Sequence, residues 1–330
     1  DHGTVRNLNL VDVNIKGAAP SGGVTGAMIG ASTIERVSVT GNIQSGTEAG
    51  GIAGRVARDP SHTGYNKIHD CYVNANVSAT SKSTDLVKSP SCAGGIVGLV
   101  HGDDGASVAK LDIQRVYFTG DVSSAQMTSN AGNAGGIVAI TQEQHAIRMT
   151  EVLCLAKSLT AHTPNYFYSR RLSNPVTIEH MDRLFVPEEL ELKYVSDGGV
   201  GAKIPEGVIT KLPEATFRTK DFYNNNTSFD FDKVWKMNEG EYPTLQYKDD
   251  TTATEGLNAE REGYRLTTQT GGIDIEVEGE FSASAYDLAG RLAGSVPSAK
   301  GHVTLPLAKG AYVVQLTQGN RRIADKVMVK

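Results

Sequence analysis

The chain has 330 residues, and 32 Lys and Arg against 37 Asp and Glu leave a formal net charge of −5. That balance argues against a nucleic-acid binder, which presents a basic face to phosphates, and the absence of any run of about 18 apolar residues argues against a transmembrane helix. The 36 glycines stand out, since an average protein holds roughly 7%.

The first half repeats. A glycine doublet followed by apolar residues recurs as GGVTG at Gly22–Gly26, GGIAG at Gly50–Gly54, GGIVG at Gly94–Gly98 and GGIVA at Gly135–Ala139. Beside the doublets runs a second unit with apolar residues at offsets 0, 3, 5 and about 9. Its copies are Ile34, Val37, Val39, Ile43; Ile68, Cys71, Val73, Val77; Ile113, Val116, Phe118, Val122; and Met149, Val152, Cys154, Leu159. Val5, Leu8, Leu10 and Val13 fit as an earlier, shorter copy.

Offsets 3 and 5 alternate as a half-buried strand requires. Offset 0 is out of phase, which predicts a bend or bulge before the strand proper. Constant rhythm with variable spacing predicts a solenoid, in which coils are conserved in shape and loops are not. The doublets are read as coil corners, where a missing Cβ lets backbone approach backbone. A phosphate-cradling loop would need a Lys and a helix start, and neither follows.

The doublets, with strands such as IQRVYFTGDV, resemble the GLUG repeat of bacterial surface proteins. Residues 212–247, LPEATFRTKDFYNNNTSFDFDKVWKMNEGEYPTLQY, are similar to the closing run of such arrays. The resemblance implies an adhesin-like surface protein. It departs at Ala139, which replaces the last glycine of a doublet motif, and residues 162–211 show no clear repeat.

Residues 162–247 are expected to form the atypical terminal coil that covers a solenoid's open edge. Phe217, Phe222, Tyr223, Phe229, Phe231, Trp235 and Tyr242 gather there. They are read as a capping minicore rather than a sugar-stacking platform, because large aromatics dominate burial. Residues 248–257, small and polar, read as a linker open to proteolysis.

Short alternating segments then follow: GYRLTT, GIDIEVEG, FSASAYDLAGRLAG, HVTLPL, GAYVVQL and IADKVMVK. They predict a small immunoglobulin-like β-sandwich over 258–330. Tyr286, Asp287, Leu288, Gly290 and Arg291, then Leu307, Lys309, Gly310, Tyr312 and Val314, then Lys326, Val327, Val329 and Lys330 resemble the sorting domain of the type IX export pathway. That resemblance implies a secreted or surface-attached protein of a Gram-negative bacterium, with outer-membrane export machinery as a partner of 258–330.

No catalytic, cofactor or metal residues emerge. The eight histidines lack HxH and HxxxH spacing, which argues against a zinc site of the metalloprotease kind. His101, Asp103 and Asp104 in HGDDG are the best local ligand group, but a Ca²⁺ loop needs more oxygens, so a surface turn is expected. Cys71, Cys92 and Cys154 are too few for a disulfide framework. Cys71 and Cys154 fall two coils apart, roughly 9.6 Å, too far for a bridge.

Outward positions form two ladders. Glu35, His69, Gln114 and Thr150 make one, with His69 expected in solvent. Arg36, Asp70, Arg115 and Glu151 make the other and alternate in sign, which favours neighbouring strands. A glycosidase would instead gather two carboxylates about 5–10 Å apart. The expected function is therefore non-enzymatic adhesion to a host or bacterial surface protein or glycan, with loops 78–93 and 123–134 as the contact edge. A spacer is the alternative, since the chain opens inside a repeat and upstream coils are then expected. A β-helix polysaccharide-active enzyme is the third reading.

Overall fold

A computed structural model describes the chain except residues 1, 58, 60, 62–63, 82–90, 102–108, 126–131, 142–145, 171–176, 196–206, 248–258, 262, 288–289, 320 and 330. Strands hold 70% of the described residues and helix 5%, which makes the protein all-β. It divides into two compact units, Asp1–Gln246 and Tyr247–Lys330. The linker expected at 248–257 lies outside the described residues.

The first unit winds through three sheets. Each pass contributes one long and two short strands. The passes are β1 (Thr4–Gly17), β2 (Ser21–Gly22) and β3 (Thr25–Ile29); β4 (Thr33–Ser45), β5 (Glu48–Gly50) and β6 (Ala53–Ala57); β7 (Asn66–Ala79), β8 (Ser91–Gly94) and β9 (Val97–His101); β10 (Lys110–Ser124), β11 (Gly132–Gly135) and β12 (Val138–Thr141); and β13 (Ala146–Ala161), β14 (Thr163–Asn165) and β15 (Tyr168–Arg170). All pairings between passes are parallel, and each sheet adds its strands in chain order. β16 (Thr177–Pro187), β17 (Leu192–Tyr194) and β18 (Ile209–Leu212) extend the long-strand sheet to eight.

The apolar rhythm sets the register. Ile34 pairs with Ile68, Val39 with Val73 and Ile43 with Val77. Val116 pairs with Val152 and Phe118 with Cys154. These rows point inward and are fully buried. The bend predicted before the strand proper falls at offset 2, where Asn7, Arg36, Asp70, Arg115, Glu151 and Arg183 all take φ between 50° and 56°. A residue in the left-handed region turns the strand by half a period, so offsets 0 and 3 both face the core. Such a conformation costs about 1–3 kcal/mol for a non-glycine residue and persists only where its surroundings impose it.

Two readings of the repeat need correction. In the first copy Ile15, not Val13, pairs with Ile43, because the register shifts between Leu10 and Val13. Val11 in that bulge is exposed. Residues 162–211 also hold a further copy: Met181, Leu184 and Phe185 pair with Met149, Val152 and Leu153. Met181, Leu184 and Val186 keep offsets 0, 3 and 5.

None of the doublet glycines has positive φ. Close approach alone demands them. A Cβ on Gly95 would lie 2.1 Å from the Gly136 carbonyl oxygen and 2.5 Å from the Phe118 ring. Gly95→Ala is therefore expected to destabilise the first unit by about 1–3 kcal/mol or more, as overpacked cores do. Urea unfolding followed by the fluorescence of Trp235, the single Trp, measures it. Cys71 and Cys154 are free and buried. Burial pushes the Cys154 thiol up to about 12, so it packs as an apolar group.

The second unit is one antiparallel sheet of β21 (Ala259–Arg261), β22 (Tyr264–Gln269), β23 (Gly272–Asp287), β24 (Leu292–Pro306), β25 (Gly310–Gln318) and β26 (Arg321–Val329). Segments expected as separate strands merge: GIDIEVEG and FSASAYD form β23. It pairs with β22 up to Val277 and with β25 from Ser282. Gly279, at φ 97°, lies at the change of neighbour. Where a two-sheet immunoglobulin-like sandwich is expected from the sequence, the strands form one sheet with a single core that includes Ile275, Phe281, Ala285, Val314 and Val327. Asp287 accepts the Arg291 backbone N–H at 2.9 Å and its Nε–H at 2.8 Å.

Candidate ligand-binding face

The outer face of the eight-stranded sheet carries the laddered side chains. In the sign-alternating row, Arg115 grips Asp70 through two bonds of 2.7 and 2.8 Å. Arg183 continues the alternation and meets Glu151 at 2.8 Å. The hydrogen bond to Asp70 leads the effects that raise the Arg115 pKa, and burial opposes it. The ladder's structural reading agrees with these pairs.

A second outward row was not read from the sequence. Ser38, Tyr72, Tyr117, Leu153 and Phe185 align one strand after another. Tyr72 and Tyr117 stack at 5.2 Å. Its signal was present: large apolar residues at offset 4 of consecutive copies, a position that should face water.

Residues 213–246 cover that row as a clasp. They comprise a 3-10 turn (Glu214–Arg218), a short helix α1 (Lys220–Asn226), and β19 (Trp235–Lys236) paired with β20 (Thr244–Leu245). Trp235 is fully buried, lies 6.1 Å from the Tyr117 ring and donates Nε1–H to Asp70 at 3.2 Å. Glu151 accepts both the backbone N–H and the hydroxyl of Ser228 at 2.8 Å. Phe222 meets Phe185 edge-on at 5.0 Å. The aromatic cluster is a minicore, as expected. However, it lies on the face of the sheet, and the terminal coil expected over 162–247 resolves into ordinary strands followed by this cover. The apolar offset-4 row is what draws it there.

Beside the clasp the described residues leave part of the face open. Asp112 pairs with Arg148, and Arg148 with His180, at the position before offset 0. Gln114 pairs with Thr150 two residues on. These five side chains line a trough of about 470 Å³. Its members are held in place: Asp112 meets His69 Nε2 at 3.2 Å and accepts from Gln114 at 3.2 Å, and the Arg148 guanidinium lies 4.2 Å from the Tyr65 ring centre. His69 is thus half-buried against a carboxylate rather than in open solvent. Asp112, Arg148 and His180 were missed in the sequence because only positions 1 and 2 of each copy were compared. Position −1 carries the same outward phase.

Burial pushes the Asp112 pKa up, but hydrogen bonding to His69, the charge of His69, Gln114 and Arg148 outweigh it and hold the carboxyl below its ordinary value. A depressed carboxyl contributes stability above its unfolded pKa and loses it as pH falls through the folded one. Asp112→Asn is therefore expected to flatten the loss of stability between about pH 5 and pH 2. Urea midpoints across that range, compared with the parent, check it.

The remaining candidates are dispersed. His101 ends β9, and Asp103 and Asp104 lie outside the described residues, as do most of loops 78–93 and 123–134. Among the described residues no group of three or more His, Cys, Asp or Glu is placed to hold a metal ion. No described helix is long and apolar enough to cross a membrane. Comparison with protein-family models finds no match, and comparison with curated proteins finds none either.

Proposed function

We propose that this chain is a non-enzymatic adhesion module of a secreted or cell-surface protein, binding a surface protein or glycan. On this reading the parallel passes are a GLUG-type β-solenoid. The second unit is an immunoglobulin-like module with a sorting role. The observation that carries the reading is the trough on the outer face of the long-strand sheet, with carboxylates there that are already engaged. Asp70 is taken up by Arg115 and Trp235, Glu151 by Arg183 and Ser228, and Asp112 by His69 and Gln114. Asp112, whose carboxyl is held below its ordinary pKa, suits fixed recognition better than the raised-pKa acid that glycoside hydrolysis requires.

An array of glycans and extracellular proteins, probed with the full chain, tests the proposal. Saturable binding without turnover of the bound glycan is expected. Cleavage of any arrayed polysaccharide, or binding to nothing on the array, overturns it.

A further inference from the structure

We infer that the trough formed by Asp112, Gln114, Arg148, Thr150 and His180 binds an uncharged polyhydroxylated ligand, a neutral saccharide of one or two rings. The inference rests on the binding reading above and narrows it to a ligand class and a site.

The size comes first. The trough spans three adjacent strands, β10, β13 and β16. At about 4.8 Å per strand gap that is roughly 9.6 Å across, and one two-residue step along a strand adds about 6.6 Å. Its volume of about 470 Å³ falls in the 300–1,000 Å³ range of small-ligand sites. Larger ligands would extend beyond these five residues onto the clasp.

The chemistry selects the class. Ionised Asp112 only accepts hydrogen bonds, and Arg148 only donates them. Gln114 and Thr150 do both, and the two ring nitrogens of His180 add further hydrogen-bonding positions. Donors and acceptors therefore alternate across a few ångströms with no net charge from Asp112 and Arg148 together. An anion would meet the Asp112 carboxylate, which the site keeps ionised. A cation would meet the Arg148 guanidinium. An apolar ligand would strip water from all five groups without replacing its hydrogen bonds, at a cost of about 1–3 kcal/mol for each. Adjacent hydroxyls, each both donor and acceptor, can satisfy both kinds of group at once.

Pre-organisation favours binding. Asp112 is 7% exposed and fixed by His69 and Gln114, while Arg148 rests against Tyr65. Little side-chain freedom remains to be lost when a ligand arrives, which is where weak polar sites gain affinity.

The test uses the full chain with cellotetraose, maltotetraose and mannotetraose, against trigalacturonate and tetralysine as charged counterparts. Ligand-observed NMR and calorimetry read binding. At least one neutral tetrasaccharide should bind, and more tightly than either charged probe. Thr150→Val with His180→Ala should weaken it about tenfold or more, the scale of one or two lost hydrogen bonds. Thr150→Ser, which keeps the hydroxyl, should stay within about twofold of the parent. Asn42→Ala, exposed on the same sheet away from the trough, should bind as the parent does. Unchanged Trp235 fluorescence shows that each variant is folded. Equal binding by the Thr150→Val, His180→Ala variant, or preference for a charged probe, overturns the inference. If no neutral tetrasaccharide binds while an arrayed protein does, the trough assignment fails and the adhesion reading stands.

Discussion

Trp235→Ala will detach the clasp from the sheet and cost the first unit about 3–5 kcal/mol, the range for removing a buried large aromatic. Trp235 is fully buried. It stacks on Phe229 at 4.6 Å and approaches Tyr72 and Tyr117 at 6.4 and 6.1 Å. Its loss leaves a cavity between two layers and removes one of the hydrogen bonds on Asp70. The winding beneath has its own inward core, so strand content should persist while the clasp opens. Far-UV circular dichroism near the parent, together with rapid proteolysis within 213–246 and a lowered urea midpoint, is the expected combination. A midpoint equal to the parent's would show that the clasp contributes nothing to the stability of the winding.

Asp70→Ala is expected to cost about 3 kcal/mol or more, since removing one partner of a buried pair leaves the other charge uncompensated. Arg115 would lose both of its bonds to Asp70 and Trp235 its acceptor. Backbone strain adds to this, because Asp70 sits at φ 51°, a region that Asp and Asn tolerate better than Ala. Asp70→Asn separates the contributions: it keeps an acceptor for Trp235 and tolerates the conformation, but removes the charge. Its loss should fall between the parent and Asp70→Ala, by chemical denaturation followed at Trp235. Equal losses for the two variants would assign the whole effect to the ion pair.

Much of the first unit was legible in the sequence. The rows headed by Ile34, Val37, Val39 and Ile43 are the rows that pair, because an inward position tolerates only apolar side chains and the same positions recur in every copy. Leu159 stands ten rather than nine residues after Met149 because β13 carries one extra residue, Lys157, opposite the step from Gly120 to Asp121. Val13 was misplaced because an apolar residue fell close to the rhythm while a bulge of one extra residue between Leu10 and Val13 moved Ile15 into the row. The copy headed by Met181 was hidden by the prolines around it and by the missing glycine doublet. In the second unit, strands were split at Gly279 because a glycine inside a strand reads as a turn, whereas here it bends one continuous strand.

The candidate site was half legible. Glu35, His69, Gln114 and Thr150 were placed on one outward row, and they do align there. What the trough holds could not be read this way, since Asp112, Arg148 and His180 come from three passes and meet only when the sheet sets them side by side.

The sequence by itself determined which side chains face inward, and that neighbouring passes stack in register, because both depend on a local period repeated along the chain. The tertiary structure alone decided where the clasp lies and which part of the outer face stays open. Those outcomes depend on contacts such as Trp235 with Asp70 and Ser228 with Glu151, separated by up to 165 residues. No period links such partners, and only the packing of the aromatic segment on the offset-4 row brings them together.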